Sequence, residues 1–124
     1  MRGLRLFVRP LDSADHDAVR LFLERQDCRI SFPACGLLGK LLGDVVAVVA
    51  LELTADALRV DEVVVARELR RKWIGRLMMR EVEQLAVKLD RHRVIVDDAR
   101  DAQEFFRRVG FELEGERWVR AVRS

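Results

Sequence analysis

Three consecutive cations and a glycine stand between two apolar segments near the middle of the chain, in the stretch Arg70-Arg71-Lys72-Trp73-Ile74-Gly75. The residues before it, Val60 to Val65, are mostly β-branched and predict a buried strand. The residues after it carry apolar side chains at the spacing of one helix face. A short turn from a strand into a helix directs backbone N–H groups and the positive end of the helix dipole at one point. The pattern therefore predicts a phosphate site.

Other groups able to do chemistry are scattered. Asp97 and Asp98 close the next predicted strand, and we expect at least one of them to cap the following helix. His16 and His92 have no partner at catalytic or ligand spacing, which favours surface positions. The two cysteines of the chain, Cys28 and Cys35, have six residues between them, and this pattern favours two free thiols over a disulfide. No metal site is expected.

Composition limits the class of protein and its partners. The 124 residues predict one domain, residues 1–124, with half of the residues apolar and about a third charged. The net charge of +2 is too small to indicate a nucleic-acid partner, and the cations alternate with acids along the chain. No signal peptide is apparent, and the longest apolar stretch, Val45 to Leu51, is too short for a bilayer. We expect a cytoplasmic protein that contacts no membrane.

Periodicity and turn residues predict ten elements in the order β-α-β-β-β-α-β-α-β-β. The predicted strands are Leu4–Val8 (stopped by Pro10), Gly36–Leu42, Asp44–Leu53, Leu58–Val65, Arg93–Val96, Phe111–Leu113 and Arg117–Val122. The predicted helices start at Asp12 or Ser13, at Lys72 and at Asp101, and end near Gln26, Leu89 and Gly110. Hairpins are expected to turn at Gly43-Asp44 and at Glu114-Gly115. This order indicates an α/β (α+β) fold: a mixed, mostly antiparallel sheet flanked by helices.

Two motifs in this order resemble the GNAT family of GCN5-related N-acetyltransferases. The family signature is Arg or Gln, two residues, Gly, one residue, then Gly or Ala, at the start of the main helix. Arg70 and Gly75 match its two ends. The second motif, an alanine, an aromatic pair and Gly-Phe, reads Ala102, Phe105-Phe106 and Gly110-Phe111 here. The chain is similar to a short and partly divergent member.

The resemblance implies an acyl-CoA cofactor, acetyl-CoA first, and a place for each of its parts. The pyrophosphate would lie over the backbone of the turn, and the pantetheine would pair with the strand edge before it. The implied cofactor-binding residues are Val63, Val64, Val65, Arg70, Arg71, Lys72, Trp73, Ile74, Gly75, Arg76, Ala99 and Phe106.

Three of these positions depart from the usual family pattern. Trp73 stands at a signature glycine, where an indole either obstructs the cofactor or stacks elsewhere. Phe106 replaces the tyrosine that returns a proton to the departing thiolate in many members, and Ala99 replaces an asparagine. Because phenylalanine has no hydroxyl to donate, we expect transfer to be slower without being prevented.

Acyl transfer to an amine needs a base, and the resemblance places one on the strand before the signature turn. Asp61 and Glu62 are the carboxylates there. Strict alternation along a strand would send them to opposite faces, Glu62 with Val60 and Val64, so that only one faces the cleft. Glu62 is the favoured base. An ordinary solvent-facing role for either acid stays open.

The implied function is acyl-CoA-dependent N-acylation of an amine-bearing substrate, with a protein among the candidate acceptors and a homodimer as a candidate assembly. Residues 27–34 leave little room for the second helix that family members insert there, which predicts an open acceptor side. The alternatives are a non-catalytic CoA-binding module that regulates a protein partner, and a degenerate fold in which Trp73 closes the pocket.

Overall fold

The computed structural model describes residues 5–70 and 73–122. Its elements follow the predicted order: β1 Leu6–Pro10, α1 His16–Arg25, β2 Gly36–Leu41, β3 Asp44–Leu53, β4 Ala57–Val65, α2 Ile74–Lys88, β5 Arg93–Val96, α3 Gln103–Arg108, β6 Glu112–Glu114 and β7 Arg117–Ala121. Short 3-10 turns at Ser13–Asp15, Arg67–Leu69 and Arg100–Ala102 stand before the three helices.

The described strands form one sheet in the order β1-β2-β3-β4-β5-β7-β6. Neighbouring strands are antiparallel except β4 and β5, which run parallel. A parallel pair needs a crossover, and α2 supplies it between these two strands. The prediction of a mixed, mostly antiparallel sheet flanked by helices is confirmed.

The core is centred on β3, whose residues 46–51 are all buried. Consecutive burial along a strand means that both faces are covered, and both α1 and α2 contact β3. On the α2 face, Sδ of Met78 would lie 2.9 Å from a Cβ placed on Gly39. A side chain at Gly39 would therefore push this helix away from the sheet. Close packing of this helix fixes where its first turn stands.

Several boundaries differ from the predictions by one to three residues. At the end of the chain the β6–β7 hairpin turns at Gly115-Glu116, one residue later than expected, and α3 begins at Gln103 rather than at Asp101. The β2–β3 hairpin turns at Leu42-Gly43, one residue earlier than expected, with φ of +53° and +86°. A two-residue turn with both φ values positive matches the twist of the strands, which explains the shift. Pro10 does not stop β1 but is its last residue, opposite Leu37. This is tolerated because β1 is an edge strand. The predicted first residue of this strand, Leu4, lies outside the described residues.

A capping box fixes the start of the 3-10 turn that leads into α1, with Asp12, one of the two predicted caps, as its first residue. The Asp12 side chain accepts a hydrogen bond from the Ala14 N–H, and Oδ2 of Asp15 accepts one from the Asp12 N–H at 2.9 Å. Arg9 on β1 donates two hydrogen bonds to the Asp15 carboxylate, at 2.6 and 2.7 Å. This contact lowers the pKa of Asp15 to about 2. It joins the helix start to the edge of the sheet.

We expect Asp15→Asn to lower the free energy of unfolding at pH 7 by about 2 kcal/mol, because a carboxylate with a lowered pKa stabilises the fold in its charged form. The folded pKa lies below the unfolded one, so this stabilisation is present above about pH 5 and is lost as the pH falls toward 2. Urea unfolding at pH 7 and pH 2 measures it. Asp17→Asn is the control, since that exposed side chain should matter by less than about 0.5 kcal/mol. An equal effect of Asp15→Asn at both pH values would contradict the ionic account.

Candidate functional site

The parallel strands β4 and β5 separate partway along their length. They pair only where Ala57–Arg59 lies beside Arg93–Ile95. Beyond that point residues 60 and 62–65 of β4 pair with β3 on one side, and no strand in the described part of the chain pairs with their other side. We call the resulting opening between β4 and the end of β5 the fork. Its β4 side presents free backbone N–H and C=O groups, which can hydrogen-bond an extended ligand.

A β-bulge stands where the fork begins. Glu62 lies opposite Ala50 and Val60 lies opposite Leu51, so Asp61 is an extra residue on β4. A bulge bends its strand and increases the local twist, which accounts for the departure of β4 from β5 at this point. Hydrophobic alternation in the sequence gave no sign of it.

Asp61 and Glu62 lie on the same face of the sheet, which corrects the prediction that they lie on opposite faces. Glu62 is opposite Ala50 and Arg59 is opposite Glu52, and residues two apart on β3 share a face. Nε of Arg59 donates to Oδ1 of Asp61 at 2.9 Å, which places Asp61 on that face too. The extra residue of the bulge interrupts the alternation on which the prediction depended.

The two acids differ in their partners. Arg59 pairs with Asp61 and with Glu52, and its Nε lies 3.8 Å from Oδ2 of Asp97 at the end of β5. The hydrogen bond to Asp61 raises the pKa of Arg59, which therefore stays cationic. Glu62 is half-buried and makes no salt bridge with any described residue. It is thus the freer carboxylate to accept a proton.

Arg59 is the residue of this cluster that sequence reasoning missed. It bridges β3, β4 and the end of β5 at the base of the fork. Its position two residues before Asp61 was the available signal, because residues two apart share a strand face. Around it three carboxylates meet one guanidinium, a local excess of negative charge that favours cations.

The basic turn lies at the other end of the fork. Helix α2 begins after Trp73, which makes no side-chain cap, and its first turn contains no acidic residue. The first N–H groups of a helix have no partner within it, so they are available to an anion here. Nε of Arg70 donates to the Val65 carbonyl at 3.3 Å, which holds Arg70 against the end of β4. The predicted ligands Arg71 and Lys72 lie outside the described residues.

Gly75 is required for space rather than for an unusual backbone conformation. A Cβ at this position would stand 3.0 Å from Cε1 of Phe105 on α3 and 4.0 Å from Cγ2 of Val65 on β4. The glycine thus lets three elements meet at the mouth of the fork. Trp73 also has ordinary helical dihedral angles, φ −80° and ψ −6°, so the indole replaces a signature glycine without backbone strain. Its side chain is 43% exposed.

The predicted cofactor-binding residues are only partly brought together. Eight of them lie in chain order along the end of β4, the connection after it and the first turn of α2: Val63, Val64, Val65, Arg70, Trp73, Ile74, Gly75 and Arg76. Val64 and Ile74 are buried, and Arg76 is exposed.

Ala99 and Phe106 have their side chains in the core instead. Phe106 is 3% exposed and makes edge contacts with Phe105 and Phe111. Ala99 is buried as well. Asp98, not Ala99, makes the polar contact after β5, since its Oδ1 accepts the Arg100 N–H at 3.1 Å. The 3-10 turn and α3 start without a side-chain cap, so the expectation that one of the paired acids caps this helix is wrong.

The segment between α1 and β2 contains no helix, as its length predicted. It folds back along α1, with the rings of His16 and Phe32 5.2 Å apart. A cavity of about 530 Å³ lies between them, lined in part by Arg20, Cys28 and Arg29. The end of α1 adjoins the β4–α2 connection, where Arg67 contacts the side chains of Gln26 and Asp27. Both cysteines are free, and burial raises the pKa of the Cys35 thiol.

A family model describes this arrangement. Residues 42–122, which include the fork and the basic turn, match the model of the acetyltransferase (GNAT) domain. The chain belongs to the GNAT family. A search of curated protein sequences found no match to this GNAT chain. No helix among the described residues is both long and apolar enough to span a bilayer.

Solved structures share the fold of this GNAT chain at low identity. An N-acetyltransferase of the family from Escherichia coli, in complex with CoA, is 17% identical over 98% of this chain and 83% of its own, with a TM-score of 0.76. The ribosomal-protein-S18-alanine N-acetyltransferase from the same organism is 11% identical over 95% and 93%, with a TM-score of 0.75. N-acetylglutamate synthase from Neisseria gonorrhoeae, complexed with CoA and N-acetyl-glutamate, is 14% identical over 97% of this chain but only 36% of its own, with a TM-score of 0.80.

Proposed function

We propose that this chain transfers an acyl group, acetyl first, from acyl-CoA to an amine. One observation carries the proposal: a stretch of β4 whose fork-side edge pairs with no described strand leads, through the short connection after it, to the uncapped first turn of α2. The open edge of β4 can hydrogen-bond an extended ligand chain that carries amides. The free N–H groups at the first turn of α2 can bind a diphosphate. Pantetheine and pyrophosphate are adjacent in CoA in that order.

The residues at the turn fit the charge of this cofactor. Arg70 and Arg76 are exposed there, and the first turn of α2 has no acid to repel a phosphate. The positive end of the helix dipole adds to their effect. Of the solved neighbours, the first Escherichia coli enzyme named above and the synthase from Neisseria gonorrhoeae hold CoA, which supports the same ligand here.

The opposite end of the site fits a cationic acceptor. Asp61, Glu62 and Asp97 stand at or beside the base of the fork, and Arg59 is the one cation among the described residues within ion-pair distance of any of them. An amine substrate is an ammonium ion at neutral pH and is drawn to this excess of negative charge. The two ends of the site therefore carry opposite charges. Cations lie beside the proposed position of the anionic cofactor, and carboxylates lie beside the proposed position of the amine. Acetylation of an alanine and of glutamate by structural neighbours is consistent with an amine acceptor.

Acyl-CoA supplies a thioester carbonyl that a neutral amine attacks. We assign the removal of the ammonium proton to Glu62, because its carboxylate has no ion pair with a described residue. The C–N bond forms as the C–S bond breaks, the electron pair leaves with sulfur, and the nitrogen loses its second proton to solvent. Phe106 offers no hydroxyl and is buried, so the thiolate takes its proton from water.

Binding and turnover together test the proposal. Purified protein is titrated with acetyl-CoA and CoA while its melting temperature is followed, and thiol release is then measured with a panel of amines that includes peptides with free N-termini. We expect a rise in melting temperature with both ligands and thiol release that depends on the amine. An unchanged melting temperature with both ligands would refute the proposed function.

The second candidate is a CoA-binding module that regulates a protein partner, and the buried, hydroxyl-free Phe106 favours it. The same experiment separates the two candidates. Stabilisation by CoA without thiol release from any amine indicates the regulatory module. Thiol release that produces the acylated amine, identified by mass spectrometry, indicates the transferase.

A further inference from the structure

The chain has two tryptophans in opposite environments. Trp118 on β7 is 3% exposed and packs in the core, whereas Trp73 is 43% exposed. A half-exposed indole leaves a large aromatic surface available to a ligand. The other strongly exposed aromatic ring among the described residues, Phe7, lies on β1 at the far edge of the sheet.

Trp73 stands just outside the phosphate end of the fork. Its carbonyl accepts the first helical hydrogen bond of α2, from the Leu77 N–H at 3.0 Å. Two residues later, Gly75 faces Val65 at the end of β4. A ligand that runs along β4 and places its diphosphate at the first turn must continue past this residue into solvent.

We propose that the Trp73 indole is the stacking platform for the purine base of acyl-CoA, an inference that rests on the proposed function. In CoA the adenosine follows the diphosphate, so the base emerges where this ring is exposed. Aromatic rings bind bases through their faces, and such contacts change affinity substantially when the ring is removed. Arg76, exposed on the same first turn, adds a cation for the adjacent phosphates.

The structure argues against the opposite role, in which the indole closes the pocket. A ring that filled the fork would be buried among its walls, and the ring of Trp73 is not. Its backbone also adopts the dihedral angles of an ordinary helix start, so the peptide need not move for the ring to stay outside. The substitution of the signature glycine thus adds a contact rather than removing a site.

Tryptophan emission and two ligands test this assignment. CoA and 4′-phosphopantetheine, which lacks the nucleotide, are titrated into wild type, Trp73→Ala and Trp73→Phe. We expect CoA, but not 4′-phosphopantetheine, to change the emission of wild type, and Trp73→Phe to abolish that change because only buried Trp118 remains. Trp73→Ala should bind CoA about tenfold more weakly and 4′-phosphopantetheine within about twofold of wild type. Trp73→Phe should lose less than about threefold, since a ring remains.

The outcomes separate this inference from the function on which it rests. Equal or tighter CoA binding by Trp73→Ala would overturn the stacking assignment and leave acyl-CoA binding intact. An equal loss of affinity for both ligands would also overturn it, because the ring would then contact the phosphopantetheine part that the two ligands share. Failure of wild type to bind either ligand would overturn both proposals.

Discussion

Replacing Glu62 with Gln is expected to lower the rate of acyl transfer about a hundredfold while leaving the affinity for acyl-CoA unchanged. Glutamine keeps the size and hydrogen-bonding capacity of the side chain but cannot take a proton. Because Glu62 lies on the carboxylate face and not at the basic turn, its charge should matter for the amine and not for the phosphates. Rates of thiol release as a function of pH measure the effect.

The neighbouring acid provides the matched control. Asp61→Asn removes the same charge one residue away, from a side chain that already accepts a hydrogen bond from Arg59. We expect a reduction of less than about tenfold from Asp61→Asn, with the pH profile keeping its shape. If Asp61→Asn is the slower enzyme, or if Glu62→Gln keeps the wild-type pH profile, Glu62 is not the base. Melting temperatures of both variants show whether either loss reflects the fold.

Replacing Gly75 with Glu is expected to abolish the stabilisation of the protein by CoA. The new carboxylate would stand at the first turn of α2, where the diphosphate is proposed to bind, and like charges about 4 Å apart repel by about 4 kcal/mol near a protein surface. Its Cβ would also displace Phe105, which is 3.0 Å away. The change in melting temperature with acetyl-CoA and CoA, compared with wild type, measures the loss.

Two further variants separate charge from size. Gly75→Gln has nearly the same volume without the charge, and we expect weaker binding that is still measurable. Gln84→Glu adds the same charge on the exposed side of α2, about two turns beyond the site, and should leave CoA binding as in wild type. Stabilisation of Gly75→Glu equal to that of wild type would show that the first turn is not the phosphate site. Equal losses in Gly75→Glu and Gly75→Gln would show that size, not charge, decides.

Local patterns in the sequence were sufficient for the elements and for their order. Residues close together in the chain determine each of three features: the strand of valines before the turn, the apolar face of α2 and the left-handed Gly110 after α3. The capping box at Asp12 is equally local. The basic turn could be located for the same reason, since a strand, a turn and a helix are consecutive.

The tertiary structure decided what lies around that turn. The bulge at Asp61 arises from the register between β3 and β4, which pairs residues about a dozen apart in sequence, and it placed both carboxylates on one face where alternation predicted opposite faces. The contact of Phe105 with Gly75 and the bridge from Arg59 to Asp97 likewise join segments separated by about 30 to 40 residues.

The basic turn at Arg70 to Gly75 was thus determined by the sequence itself, because backbone N–H groups at a helix start depend only on local conformation. Its surroundings were not. The fork that leads to it, the acids at the fork's far end and the exposure of Trp73 depend on how strands and helices pack, and packing follows from contacts that local periodicity does not encode.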